Sequence, residues 1–194
     1  REIRGSLVVV GWRGEATPHE LFFGTLLEQL LRDRHYTLVV GRVSDSLNTC
    51  RRILLALPPH AEREDGFVSA LGLVKRLSQQ LGAPITVFAE QAAEEGLQEA
   101  LQRAKPLAEV RPVALPSWSG ILPALRAQYA EGDLVVMYGA RPGGLAADPT
   151  GAALPSRVGE QMPGAAFLVI YPAEPQAEDV GEGRETAGLP AESV

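Results

Sequence analysis

The chain has 194 residues, 45% of them hydrophobic and 22% charged, and a net charge of −6. That balance fits a globular protein with one well-buried core, and the lack of a basic block argues against nucleic acid as a partner. One cysteine, Cys50, and three scattered histidines, His19, His35 and His60, exclude an internal disulfide and a Cys/His zinc cluster, and no apolar run approaches the length of a membrane span. A single thiol is compatible with a reducing, cytosolic setting.

The chain opens at Arg1-Glu2-Ile3-Arg4 without methionine, almost directly on a strand, so the reading expects a longer polypeptide. Leu7-Val8-Val9-Val10 is an apolar run that ends in Gly11-Trp12-Arg13-Gly14. A polar loop follows, then Phe22-Phe23-Gly24-Thr25 and a helical pattern to Arg34, with Leu26, Leu27, Leu30 and Leu31 on one face. Thr37-Leu38-Val39-Val40 closes a strand–helix–strand unit over residues 1–43. Thr17-Pro18-His19-Glu20 has the form of a capping box with proline at the first helical position. A helix starting there encloses the N–H groups of Gly24 and Thr25, whereas a start near Gly24 leaves them free for an anion. Arg32, Arg34 and His35 near the helix end suit its dipole.

After a polar linker, residues 44–51, a second unit begins. Ile53–Leu57 reads as a buried strand stopped by Pro58-Pro59. Phe67, Ala70, Leu71, Val74, Leu77 and Leu81 recur at helical spacing up to Gly82. Strand 85–88, helix 91–104, a weaker strand 110–113 placed at an edge by Pro112, helix 119–129, strand 133–138, helix 153–162 and strand 167–171 follow. Five strands alternating with helices over 52–172 predict an open, parallel, five-stranded α/β sheet covered on both faces. From Ala173 the chain is rich in Glu, Pro, Ala and Gly, the composition of a disordered acidic tail over 173–194.

An internal repeat links the two units: Leu7–Gly11 aligns with Leu134–Met137 and Leu38–Val40 with Leu168–Ile170. The intervals are close, 31 residues from Leu7 to Leu38 and 34 from Leu134 to Leu168. Residues 1–43 therefore read as the last third of a domain whose whole form is 52–172. The final strands of both units are short and apolar, which places each at a sheet edge and makes a homodimer through such an edge the expected assembly.

Gly11, two residues, Gly14, nine residues, Gly24 and then Thr25 is a pattern that resembles the nucleotide loop of the universal stress protein family. The resemblance implies an α/β, Rossmann-like fold and a site for ATP or AMP at Gly11, Gly14, Gly24 and Thr25, to which Arg13 adds charge. The second unit departs from it: Gly139, Arg141, Pro142, Gly143 and Gly144 lack the spacing, Ala152 follows Gly151, and Pro58-Pro59 stands where the family keeps an acidic residue. Gly-Trp-Arg-Gly, Phe-Phe-Gly-Thr, the run Cys50–Glu64 and the run Met162–Pro172 are similar in wording to the C-terminal cytoplasmic tandem of bacterial, especially cyanobacterial, cation/proton antiporters. That resemblance implies a non-enzymatic regulatory domain on the cytoplasmic face, with a membrane transporter portion upstream in the same polypeptide and no insertion of its own. The alternatives are an interaction module that binds no ligand and a stand-alone ATP-binding universal stress protein. An ATP-hydrolysing enzyme is disfavoured, since no Walker lysine or paired metal carboxylate follows the glycines. Trp118 with Ser117 and Ser119, and Glu94, Glu95 and Glu99, are weaker candidates that read as a packed tryptophan and a solvated helix face.

Overall fold

The computed structural model describes residues 6–11, 27–43 and 47–174, apart from the side chain of Asn48. Among the described residues seven strands form one sheet: β1 (Ser6–Gly11), β2 (Tyr36–Arg42), β3 (Arg52–Ala56), β4 (Ile85–Glu90), β5 (Val110–Leu115), β6 (Asp133–Tyr138) and β7 (Ala166–Tyr171). The helices are α1, described over 27–32, α2 (Phe67–Leu81), α3 (Glu94–Arg103), α4 (Ile121–Gln128) and α5 (Pro149–Gln161). The spatial order is β1-β2-β7-β6-β3-β4-β5, and every neighbouring pair is parallel except β2 and β7.

This corrects the expected five-stranded sheet with a separate partial unit. The strands of both units belong to one seven-stranded sheet, because β2 and β7 pair antiparallel from Leu38↔Tyr171 to Arg42↔Phe167. It also corrects the placing of those two strands at edges. Each covers the other's open side. Val39 and Val169 are 7% and 2% exposed. The edges are β1 and β5, and Pro112 lies on the latter, where the sequence put it.

Each face of the sheet buries its own apolar layer. On one face Ile53, Leu55, Val87, Leu134 and Val136 pack with Phe67, Leu71 and Val74 of α2 and Leu97 of α3. On the other, Leu54, Phe88, Val135 and Phe167 pack with Ile121 and Leu125 of α4 and Leu154 and Val158 of α5. Alternation along β3 and β6 divides their side chains between the two layers. Burying each such side chain contributes roughly 1.5–3 kcal/mol. Lys75, buried on α2, donates from Nζ to the carbonyls of Leu101 and Ala104 and so clips α2 to the end of α3. Burial, and Lys105 nearby, lower its pKa.

Helix boundaries differ from the reading in three places. Ser119 and Gly120, placed by the reading in helix 119–129, belong to a 3-10 turn, Trp118–Gly120, just before α4 starts at Ile121. Residues 91–93 form a 3-10 turn before α3. α5 starts at Pro149 rather than Ala153, since Asp148 caps it and proline fits its first turn. Leu47–Thr49 of the expected linker is a 3-10 turn, and residues 44–46 lie outside the described residues, as does 175–194 of the expected tail.

Candidate functional site

In an open parallel sheet the place for a ligand is the crevice beyond the strand C-termini where the order reverses. In the second unit that crevice lies between β3 and β6, bounded by Leu57-Pro58-Pro59 and by the loop Gly139–Ala147. Several of its backbone donors are already engaged. Gly139 N–H donates to Ile170 O at 2.9 Å, Gly144 N–H to Arg141 O at 2.9 Å and Ala147 N–H to Gly144 O at 3.2 Å. Glu64 Oε1 accepts from Ala146 N–H at 2.8 Å. At the start of α5, Asp148 Oδ1 accepts from Thr150 N–H at 2.8 Å and Gly151 N–H at 3.0 Å. Two carboxylates thus sit on the N–H groups that a phosphate would need, and their charge repels one.

The loop glycines serve packing. A Cβ on Gly139 would lie 2.3 Å from the Tyr171 ring, and one on Gly144 would lie 2.6 Å from Glu64 Oε1. Gly143 has φ +82°, which a side chain rarely adopts.

Arg141 points inward and is 2% exposed. Its guanidinium donates to the carbonyls of Leu30 (3.1 Å), Leu31 (3.0 Å) and Asp33 (2.6 Å) at the end of α1, and of Tyr36 (2.5 Å), Tyr171 (3.4 Å) and Pro172 (3.0 Å). It also lies 5.7 Å from the Tyr36 ring centroid. Burial pulls its pKa below the ordinary arginine value, opposed chiefly by Tyr36 and Glu174. A cation on the last carbonyls of a helix satisfies orphaned acceptors and complements the dipole. Arg42 makes the reciprocal contact. It extends from the end of β2 to the carbonyls of Gly159, Met162 and Ala165 at the end of α5, with its guanidinium 5.2 Å from the Phe167 ring centroid. Arg34 pairs with Glu174 and donates to Pro142 O, which ties the same seam.

Of the expected nucleotide residues, Gly11 is described. It ends β1, is exposed, and has open space where a side chain would point. Arg13, Gly14, Gly24 and Thr25 lie outside the described residues, with Trp12 and the capping-box segment Thr17–Glu20. Because β2 and β7 are antiparallel, the C-terminal ends of β1 and β6 lie at opposite ends of the sheet. Trp118 is 5% exposed and its backbone N–H donates to Glu90 at 2.6 Å, while Ser117 and Ser119 bond each other. Glu94, Glu95 and Glu99 are exposed, and Glu99 pairs with Arg103 one turn on. A groove of about 570 Å³ between α4 and α5 is lined by Ser119, Leu122, Pro123, Arg126, Arg157 and Gln161, with no residue of either glycine loop in its wall.

Sequence reasoning missed Glu64 and Arg42, and it placed Arg141 in a loop that lacks the nucleotide spacing. Asp148-Pro149 is a legible cap signal; the inward turn of Arg141 has no counterpart in local pattern. Among the described residues there is no group of three or more His, Cys, Asp and Glu suited to a metal, and no helix long and apolar enough to cross a membrane.

The fold places the chain among generally Rossmann-like α/β proteins. Comparison with protein-family models, with curated proteins and with solved structures finds no match.

Proposed function

We propose that the chain is a non-enzymatic regulatory and interaction module of the kind carried on the cytoplasmic side by bacterial cation/proton antiporters, and that any adenine nucleotide it takes is held by the first unit alone. The observation that supports this reading most is the occupied crevice of the second unit, where Glu64 and Asp148 engage the Ala146, Thr150 and Gly151 amides. A complete domain whose amides at the switch point are engaged in this way is suited to packing and transmission rather than to ligand chemistry. Gly11, exposed and unobstructed at the end of β1, supports a site in the first unit with Arg13, Gly14, Gly24 and Thr25. A nucleotide there biases an attached transporter only through a difference in affinity between its two states.

Calorimetric titration of the whole chain with ATP and AMP, each with and without magnesium, tests the nucleotide part. Binding is expected to one site and to vanish in Gly14→Val, whose Cβ blocks backbone approach. Affinity that survives this change refutes the assignment to the first unit. Absence of binding to the unaltered chain refutes nucleotide sensing and leaves the interaction module.

A further inference from the structure

The sequence of β1 has the composition of a central strand, yet the strand lies at an edge. Ser6–Gly11 carries no charge and no proline, and both of its faces are apolar. A near-continuous apolar run is the mark of a parallel strand covered on both sides and paired on both edges. Leu7 and Val9, on one face, are nevertheless 52% and 68% exposed. β5, at the other edge, is protected in the ordinary way, by a proline and the charge of Arg111.

The second unit indicates what belongs beside β1. Across the antiparallel seam β6 stands to β7 as β1 stands to β2: both pairs are parallel, Leu134↔Ala166 in one and Leu7↔Thr37 in the other. Every residue of β6 is buried, and its outer edge holds β3, parallel, from Arg52↔Asp133 to Ala56↔Met137. The place that corresponds to β3 in the first unit is the open edge of β1. The described residues of a second copy do not supply such a strand. Its own β3 lies between β6 and β4, and among the described strands its free edges are β1 and β5. A β1–β1 contact about a two-fold axis would run antiparallel.

We propose that the outer edge of β1 is a docking site for a β-strand from another polypeptide segment, added in parallel and apolar on both faces, with the chemistry that Arg52–Ala56 presents to β6. Main-chain hydrogen bonds to the outer-edge groups of β1, which pair with no strand among the described residues, supply affinity, and contact with Leu7 and Val9 supplies selectivity. The inference is independent of whether a nucleotide binds.

The probe is a synthetic peptide with the sequence of residues 50–59, serine replacing Cys50 and a spin label at its N-terminus, titrated into the whole chain by NMR. The expected result is saturable slowing of amide exchange along β1, with broadening strongest near Ser6, as a parallel strand requires. Val9→Lys, at a solvent-facing position, should weaken binding by about tenfold or more while leaving the urea midpoint unchanged. A composition-matched scrambled peptide should bind at least as weakly as in that variant. The proposal is overturned by any of four results: β1 amides unprotected at saturating peptide, broadening strongest near Gly11, equal binding of the scrambled sequence, or self-association of the chain that Val9→Lys abolishes. The last result would assign the edge to a second copy.

Discussion

Replacing Arg141 by methionine tests whether the two units are held together as described. The guanidinium is buried and donates to six carbonyls. Three of these, on Leu30, Leu31 and Asp33, end α1 and have partial access to water once the guanidinium is gone. The other three, on Tyr36, Tyr171 and Pro172, lie where β2 begins and β7 ends. A buried acceptor left without a donor costs about 1–3 kcal/mol. Methionine fills much of the volume and avoids burying a charge, which offsets part of that loss. The net expectation is about 3 kcal/mol of destabilisation, a large share of the roughly 5–15 kcal/mol typical of a folded domain. With a urea slope of about 2–3 kcal/mol per molar, the midpoint falls by about 1–1.5 M. The loss is expected to be local first. Exchange at Leu38, Val39 and Val40 should accelerate before exchange at Ile53–Leu55, because the seam gives way before the five-stranded part. Arg141→Lys should recover less than half, since a compact ammonium has three donors for acceptors arranged around a planar fork. A midpoint shift under about 0.3 M for Arg141→Met, or equal acceleration at β2 and β3, would refute the reasoning.

Two further predictions concern the second unit. Asp148→Ala removes the oxygen that accepts from Thr150 and Gly151 and should cost about 1 kcal/mol, read as a fall of about 2–4 °C in melting temperature; an unchanged melting temperature would mean that solvent replaces the cap. Tyr138 is buried, and burial first, then Glu64 and Glu174, raise its phenol pKa well above the ordinary 10.0. The folded state therefore keeps this proton where the unfolded chain loses it, so the contribution to stability is complete below pH 10 and shrinks as pH rises beyond it. Tyr138→Phe should flatten the fall of the urea midpoint between pH 9 and 11; an identical slope in both proteins would refute the assignment.

Local pattern sufficed for the strands because each, β5 apart, is centred on an apolar run ended by a glycine, a proline or a charge. Pro112 placed β5 at an edge correctly. The antiparallel join of β2 to β7 was not legible, since pairing depends on the surfaces two distant segments offer each other, and parity of side chains says nothing about direction. One sign was present. Gly41 stands inside an otherwise β-branched strand, and a Cβ there would come within 2.6 Å of Phe167 O and 2.5 Å of a Leu168 methyl. A glycine in such a position marks a close approach of another strand. The start of α5 was misplaced for a related reason. Pro149 and Gly151 have the look of loop residues, whereas Asp148 caps the helix and proline fits its first turn.

The glycine loop after β6 shows why glycine spacing alone is weak evidence for an anion site. Glycine lets a backbone come close, but what binds a phosphate is an N–H group with no other acceptor. In the loop after β6 the close approach is used by Tyr171 against Gly139 and by Glu64 against Gly144, and the amides at the start of α5 already bond to Asp148. The deciding residues are therefore the acidic ones. Glu64 lies far from the loop in sequence, and Asp148 lies inside it as a cap. Converting both to neutral residues of similar shape, Glu64→Gln and Asp148→Asn, would lower the negative charge without freeing the amides, since each replacement still offers an acceptor oxygen. Charge removal alone should therefore not create a phosphate site here. The occupied donors, more than the repulsion, separate this loop from one that binds.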